Sequence, residues 1–549
     1  MFCSNATRLP LYLALAFVCV GASPALSQSL ALGQPTAIED PGEPITIAPS
    51  DDYEASGFGD AIGSTSLEAP SVEAAGLTGA EALGLDDNMW GGTPGARAIA
   101  LIDAAEPTTF YSVNRLLRRV LVAGATPPEG SEGLLASRAR ALIRFGAAEE
   151  ASSLAGAAGR DPAPDLRRAG AEASLIVGRD EVLCERDVLG ADTPPPAADN
   201  TDTFWASLRA YCLARSGDPL AAVAVNAMVE LGSVTPTDAP LLEALVDETL
   251  IDYVPVPHAT MLNPLRIAML RSLGRANRPS IESAPLPMIA GLFALESTGA
   301  DGALVAAERL EAVGAIDTLV LREMYISFAD EVDGPLGERA KAVRDAEKTP
   351  EARQIGDTLI AAARSGRNGG FAQMARVLAP MAKDVPAREA GSLDSIGYAL
   401  RDAMLLGDFT TEAGAWSRAR DTRTPEEEAD IAAVMAVADT SWSAQWQRSY
   451  GDTLRQRTRT GDEHARRALG SLAGLGIALR PALPDEGYLK AAREGKVAET
   501  ILSIADALGT DTPPTARTLD TMIRALGEIG LEEEARRIAI EAMITARWQ

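Results

Sequence analysis

The chain has 549 residues, enough for two to four domains or one extended array, and 46% of them are hydrophobic, so material for a large core is available. Its formal net charge of −27 argues against nucleic acid and anionic membrane surfaces as partners, because their phosphates would be repelled. Aromatic residues make up only 5%, so the core is built from small side chains, which suit closely packed helices.

The first 27 residues predict a secretory signal peptide, cleaved after Ser27. Arg8 precedes an apolar run over residues 9–22, and the small residues Ala25 and Ser27 stand where a signal peptidase requires them. The alternative is an uncleaved anchor, although the run is short for a membrane span. We therefore expect a periplasmic protein, with no integral membrane segment in the mature chain.

Residues 28–88 differ from the rest of the chain in composition. They are rich in Pro, Gly, Asp and Ser and have no sustained hydrophobic period. Such a segment buries too little apolar surface to offset the entropy of ordering it, so we predict a disordered linker. Folded material is expected from residue 89 onward, with Trp90 as an anchor.

Two cysteines remain after the predicted cleavage, Cys184 and Cys212. Cys212 shares a predicted helical face with Trp205 and Leu208, and a pair in an oxidising compartment is usually joined. We predict a disulfide between consecutive helices, which contributes about 3–4 kcal/mol in the chain-entropy model. The alternatives are two separately buried thiols or a redox-active pair. The sequence has no C-x-x-C motif, which disfavours the redox-active pair.

From residue 89 onward the hydrophobic periodicity is helical. Leu519, Met522, Ile523 and Leu526 follow i, i+3, i+4, i+7 spacing. The stretch "TPEEEAD" places Thr424 at an N-cap and Glu427 in the capping-box position. Alternating strand patterns are nearly absent, so the prediction is an all-α fold.

A Pro-rich stretch divides the predicted helices. It spans residues 256–287 and separates an N-terminal helical array (89–255) from a C-terminal one (288–549). It is equally well explained as a long loop within one array, and both interpretations stay open.

Three segments share a Leu, a Gly four residues later and an Ala five residues beyond that. The triplets are Leu142/Gly146/Ala151, Leu213/Gly217/Ala222 and Leu526/Gly530/Ala535. Gly ends the first helix of a hairpin and Ala lets the second helix approach closely. These units resemble those of tetratricopeptide-like repeat proteins, without the regular 34-residue register. The resemblance implies an αα-hairpin superhelix, an α-solenoid whose concave face binds protein or peptide.

No pattern in the sequence predicts catalysis, a cofactor or a metal. The two histidines, His258 and His464, are far apart, and H-E-x-x-H, G-x-S-x-G and phosphate-loop motifs are missing. Acidic runs such as "LEEEARR" are first-turn carboxylates that interact favourably with the helix dipole. The basic cluster Arg115, Arg118 and Arg119 is either a solvated helix face or a patch for an acidic partner.

The aromatic residues Trp442, Trp446 and Tyr450 lie four residues apart and share a predicted helix face. Such a stripe usually belongs to a core, but on an exposed face it would bind peptide. It is the candidate partner-binding site that the sequence offers.

The function predicted is that of an exported helical-repeat scaffold binding a protein or peptide partner in the cell envelope. Two alternatives stay open. One is a cell-envelope enzyme related to peptidoglycan, with a carboxylate site among the helices. The other is a structural spacer without a binding surface.

Overall fold

In the computed structural model the described residues all belong to one compact unit, Ala69–Gln549. The structure describes residues 71–159, 162–185, 203–255, 257–274, 281–293, 299–364, 370–384, 395–407, 424–438, 449–478, 487–509 and 513–548. The predicted signal peptide (1–27), residues 28–70 of the predicted linker, Trp442 and Trp446 lie outside these ranges. Within them, no helix is long and apolar enough to cross a membrane.

Most of the described residues are helical and only four are in strands, which confirms the all-α prediction. The first twelve helices are α1 (Gly95–Ala104), α2 (Tyr111–Val122), α3 (Leu134–Arg144), α4 (Ala148–Ala157), α5 (Pro164–Val177), α6 (Asp180–Glu185), α7 (Phe204–Arg215), α8 (Pro219–Glu230), α9 (Ala239–Val246), α10 (Pro264–Ser272), α11 (Leu286–Phe293) and α12 (Gly299–Ala312).

The helices that follow are α13 (Thr318–Phe328), α14 (Gly334–Lys348), α15 (Ala352–Arg364), α16 (Gly370–Asp384), α17 (Ser395–Gly407), α18 (Pro425–Ala438), α19 (Gly451–Arg459), α20 (Glu463–Gly474), α21 (Gly487–Arg493), α22 (Val497–Leu508), α23 (Ala516–Glu528) and α24 (Glu532–Trp548). Two-residue strands, β1 (Thr78–Gly79) and β2 (Ala123–Gly124), pair in parallel.

Folded structure begins earlier than the composition indicated, because residues 71–88 are held by polar contacts. The Glu73 carboxylate accepts the N–H groups of Gly133 and Leu135, 2.9 and 2.6 Å away, at the start of α3. Arg138 donates to the carbonyls of Ala75 and Leu121, each at 2.8 Å. Burial lowers the pKa of Arg138 to about 10. Glu73, in the predicted linker, therefore caps α3, and Arg138 of α3 joins the Ala75 carbonyl to the core.

The predicted hairpin glycines adopt the left-handed conformation that ends a helix. Gly146, Gly217 and Gly530 have φ of 75°, 67° and 81°. Gly adopts this conformation without steric strain, because in other residues the Cβ would crowd the following carbonyl. The capping box is also present, since the Thr424 hydroxyl accepts from the Glu427 N–H at 3.2 Å and the Glu427 carboxylate accepts from the Thr424 N–H at 3.0 Å.

The predicted Pro-rich connection, 256–287, contains a core helix. Pro264 occupies the first turn of α10, and the Asn263 side chain accepts from the Arg266 N–H at 2.8 Å, so proline begins the helix rather than interrupting it. Ile267, at the centre of α10, is fully buried. The residues of the two predicted arrays thus belong to one compact unit with one core.

Helices that are distant in the chain also pack together. The last helix, α24, packs against α2, α16, α17, α18, α20 and α23, and α22 packs against α1 and α2. In an open solenoid each repeat contacts only its neighbours. Here the first helices and the last share a core.

Candidate functional site

The disulfide joins α6 to α7. The Cα atoms of Cys184 and Cys212 are 5.3 Å apart, within the usual range for a bridge, and the predicted pairing is confirmed. Cys212 is buried and Cys184 is half-buried. The bond fixes the short helix α6 against a longer neighbour.

A buried carboxylate reinforces the same junction. The Tyr211 hydroxyl donates to Asp180 Oδ2 at 2.7 Å, and Arg215 forms an ion pair with the same oxygen. Arg271 of α10 lies 3.7 Å from Asp180 Oδ1. Burial, with the hydrogen bond to Asp180, raises the pKa of Tyr211 above its ordinary value, so the phenol stays protonated and keeps donating. Helices α6, α7 and α10 are joined by this cluster.

A second buried pair joins the start of α9 to α10. Asp238 Oδ1 accepts from Arg266 Nε at 2.6 Å, and the Thr235 hydroxyl donates to Asp238 Oδ2 at 2.7 Å. Because both charged groups are buried, removing either would leave the other without compensation. We refer to the described residues between 180 and 272, which these contacts tie together, as the disulfide module.

Helix α8, inside this module, is more exposed than its sequence would lead one to expect. It reads "PLAAVAVNAMVE" and has one charged residue, Glu230. A helix so apolar is normally buried on most of its surface. Among its described side chains, however, only Ala221 and Val225 are buried. Part of its apolar surface faces solvent.

The exposed residues form a row along one side of the helix. At about 100° per residue, Leu220, Val223, Ala227 and Leu231 fall within an arc of about 80°. Leu220 is 77% exposed, Val223 66% and Leu231 80%. We call these four residues the α8 stripe. An isolated exposed Leu needs no explanation, but an aligned apolar row typically marks an interaction surface.

Other exposed apolar side chains concentrate in the same part of the chain. Among the described residues, ten large hydrophobic side chains are exposed, and seven of them fall between residues 182 and 261. These seven are Val182, Leu220, Val223, Leu231, Leu250, Tyr253 and Met261. The part of the chain that the disulfide and the buried ion pairs hold together therefore also has most of the exposed large apolar side chains among the described residues.

The buried carboxylates elsewhere have structural partners. Six described Asp and Glu residues are buried: Asp180, Asp238, Glu311, Asp402, Asp520 and Glu541. Each has an Arg or N–H partner within the chain. In the described ranges, no group of three or more His, Cys, Asp or Glu residues could hold a metal ion.

The largest of these polar networks connects the two ends of the folded unit. Glu541 accepts the N–H groups of Tyr111 and Ser112, at 2.7 and 2.9 Å, and so caps the start of α2. Arg376 lies 4.0 Å from the centre of the Tyr111 ring and donates twice to Glu311, at 2.8 and 2.9 Å. Burial raises the pKa of Glu541, and Arg376 and the two N–H groups oppose that shift.

The residues of the basic cluster differ: Arg115 is exposed, as on the predicted solvated face, whereas Arg118 and Arg119 have partners within the chain. Arg119 donates to the Leu83 carbonyl at 2.8 Å and pairs with Glu534. Arg118 donates to the Gly314 carbonyl at 2.6 Å and pairs with Glu150. These two guanidinium groups connect distant helices.

The predicted aromatic stripe is described at one position only. Tyr450 is half-buried, packs against the core and precedes α19, while Trp442 and Trp446 lie outside the described residues. The α8 stripe was not predicted from the sequence. Its signal was an apolar helix with almost no polar side chain between Asp218 and Glu230.

Comparison with protein-family models, curated proteins and solved structures finds no match to this chain.

Proposed function

We propose that this chain is an exported helical-repeat scaffold that binds a protein or peptide partner in the cell envelope. The observation that carries the proposal is the α8 stripe, an aligned row of apolar side chains exposed on a module that a disulfide and a buried ion pair hold together. Leaving such a row in water forgoes about 25 cal/mol for each Å² of apolar surface, which a docked partner would recover.

The rigidity of the disulfide module supports a binding role. The bridge between Cys184 and Cys212 and the buried pair of Asp238 and Arg266 hold the helices around α8. A surface that is ordered before binding loses little entropy when a partner docks. The disulfide module holds α8 in place, and α8 would contact the partner.

Export is supported by two independent features of the chain. Residues 1–27 have the layout of a signal peptide, and a disulfide persists where the surroundings are oxidising. We therefore place the protein in the periplasm. Its partner would be an envelope protein or a segment of one.

The likeness to tetratricopeptide-like repeats is supported by three hairpins whose first helix is followed by a left-handed glycine, at Gly146, Gly217 and Gly530. We propose repeat ancestry for these hairpins. The binding surface proposed is the outer side of one second helix, α8, in place of the concave face that the resemblance implied.

The alternative of a peptidoglycan-related enzyme gains no support from the buried carboxylates. Two facing carboxyl groups would be needed, with pKa values driven apart. The six buried ones are instead compensated by Arg side chains or N–H groups. A spacer without a binding surface, for its part, would not account for the α8 stripe.

The proposal is tested by photo-crosslinking in the native host. A photoreactive residue replaces Val223, and a matched control places it at Leu319 on α13, which is 56% exposed and outside the module. We expect a discrete crosslinked protein from position 223 only. The crosslinked partner is then purified and its affinity for the isolated chain is measured. We expect the substitution Val223→Gln to lower this affinity. Identical crosslinks from both positions would contradict the proposal.

A further inference from the structure

The charges in the segment that carries the α8 stripe are of one sign. Between residues 216 and 265 the sequence has seven Asp and Glu residues and no Lys or Arg. The basic residues on either side of this segment, Arg215 and Arg266, pair with Asp180 and Asp238. Glu230 and Glu248 are exposed, and neither forms an ion pair in the part of the chain that the structure describes. The segment that carries the apolar row is therefore acidic.

Two of these carboxylates stand at the ends of helix α8. Asp218 is the N-cap of α8, and its side chain accepts the Leu220 N–H at 2.8 Å. Glu230 is the last residue of the same helix and is exposed. At about 100° per residue, Glu230 lies about 20° outside the arc of the α8 stripe, whereas Asp218 lies on the far side of the helix. An occupant thus meets apolar side chains with a negative charge at the end of the row that Leu231 occupies.

This arrangement disfavours three occupants. An anionic lipid surface would be repelled. A second copy, paired across α8 by a two-fold axis, would bring two acidic segments together. The chain's own residues 28–70 carry eight Asp and Glu residues and no Lys or Arg, so charge gives them no affinity for this surface.

We infer that the α8 stripe is the docking site for a basic amphipathic helix of another protein. The partner helix would place Leu-type side chains against Leu220, Val223 and Leu231, at i, i+3/i+4, i+7 spacing. Lys or Arg residues beside its apolar row would face Glu230 and the acidic segment around α8. This inference rests on the proposed function and specifies the chemistry of the partner.

The test uses three synthetic helical peptides and the purified chain. Each has about 15 residues, the length at which a peptide helix becomes stable in water. The first has a Leu stripe flanked by Lys, the second the same stripe flanked by Glu, and the third the composition of the first in scrambled order. Binding is measured by fluorescence anisotropy in ~50 mM and ~500 mM NaCl, where screening differs several-fold.

We expect the Leu/Lys peptide to bind at least about tenfold more tightly than the other two, and to weaken at high salt. The double variant Leu220→Gln/Val223→Gln should reduce its affinity by about tenfold or more. The control Leu319→Gln should bind as the native chain does. Glu230→Lys should weaken the Leu/Lys peptide and improve binding of the Leu/Glu peptide.

Equal binding of the Lys and Glu peptides, or unchanged binding by the double variant, would overturn the inference. So would the absence of any peptide binding. The crosslinking experiment separates this failure from failure of the proposed function. If a partner is captured from position 223 but docks through an acidic or non-helical segment, the proposed binding function is supported and the inference of a basic helix is contradicted.

Discussion

Helices α8 and α24 are each the second helix of a hairpin with the same Leu, Gly and Ala spacing, yet their surroundings differ. Ala535 and the apolar face of α24 are buried among helices from both ends of the folded unit. Ala222 of α8 is only half-buried, and the α8 stripe faces solvent. The same local pattern thus makes a hairpin without determining what covers it. Coverage of the second helix depends on residues far away in the chain.

The largest effect is expected from the cap that α24 provides for α2. Glu541→Ala removes the acceptor for the N–H groups of Tyr111 and Ser112. Two hydrogen bonds to a charged group contribute about 3–4 kcal/mol together. Urea unfolding should show this loss, and hydrogen exchange should show α2 opening first. Glu532→Ala, at an exposed position of α24, is the control and should change stability far less.

The disulfide comes next, because it strengthens the module that carries α8. Changing both Cys184 and Cys212 to Ser should lower the free energy of unfolding by about 3 kcal/mol. Limited proteolysis should then cut between α6 and α7 sooner than in the oxidised native chain. Reduction of the native chain by dithiothreitol provides the control without a mutation. Unaltered cleavage after both treatments would show that Asp180 and its partners hold this junction alone.

Hairpin glycines should differ in sensitivity to the same substitution. Gly146→Ala places a methyl group 2.8 Å from Leu310 Cδ2 in a left-handed backbone, so we expect a loss of about 2–3 kcal/mol. At Gly217, before α8, nothing lies within 4 Å of the added atom, and the backbone cost alone is about 1 kcal/mol. Thermal unfolding of the two variants checks the order, and equal losses would show that packing around Gly146 relaxes.

The smallest effect on stability is expected in α8. Leu220→Gln changes a side chain that is 77% exposed, so the free energy of unfolding should shift by less than about 0.5 kcal/mol. The substitution is instead expected to weaken partner binding. A large loss of stability would mean that Leu220 belongs to the core and would remove the distinction between α8 and α24. Circular dichroism with urea decides this before any binding assay.

Features that depend on residues close together in the chain were predicted correctly from the sequence. The capping box of Thr424 and Glu427 and the left-handed Gly217 depend on a few neighbouring residues. The pairing of Cys184 with Cys212 depended only on elimination and helical phase. In each case the chemistry lies within one or two elements, where periodicity and capping rules apply.

Long-range partners could not be found in this way. Glu541 and Tyr111 are separated by 430 residues, and nothing near either residue indicates the other. Glu73 was assigned to a linker because residues 28–88 are rich in Pro, Gly, Asp and Ser, although its carboxylate caps α3. The α8 stripe was missed because an apolar helix predicts burial, whereas Leu220, Val223 and Leu231 are exposed because no helix in the described ranges covers them.

The cap on α2 has a consequence for how the chain is made. Synthesis delivers Tyr111 long before Glu541, so for most of that time the start of α2 lacks its acceptor. The disulfide module is complete in sequence by residue 272, and its bridge closes a loop of 28 residues. All residues that form the contacts of the disulfide module are therefore synthesised before the last helix, so these contacts do not have to wait for Glu541.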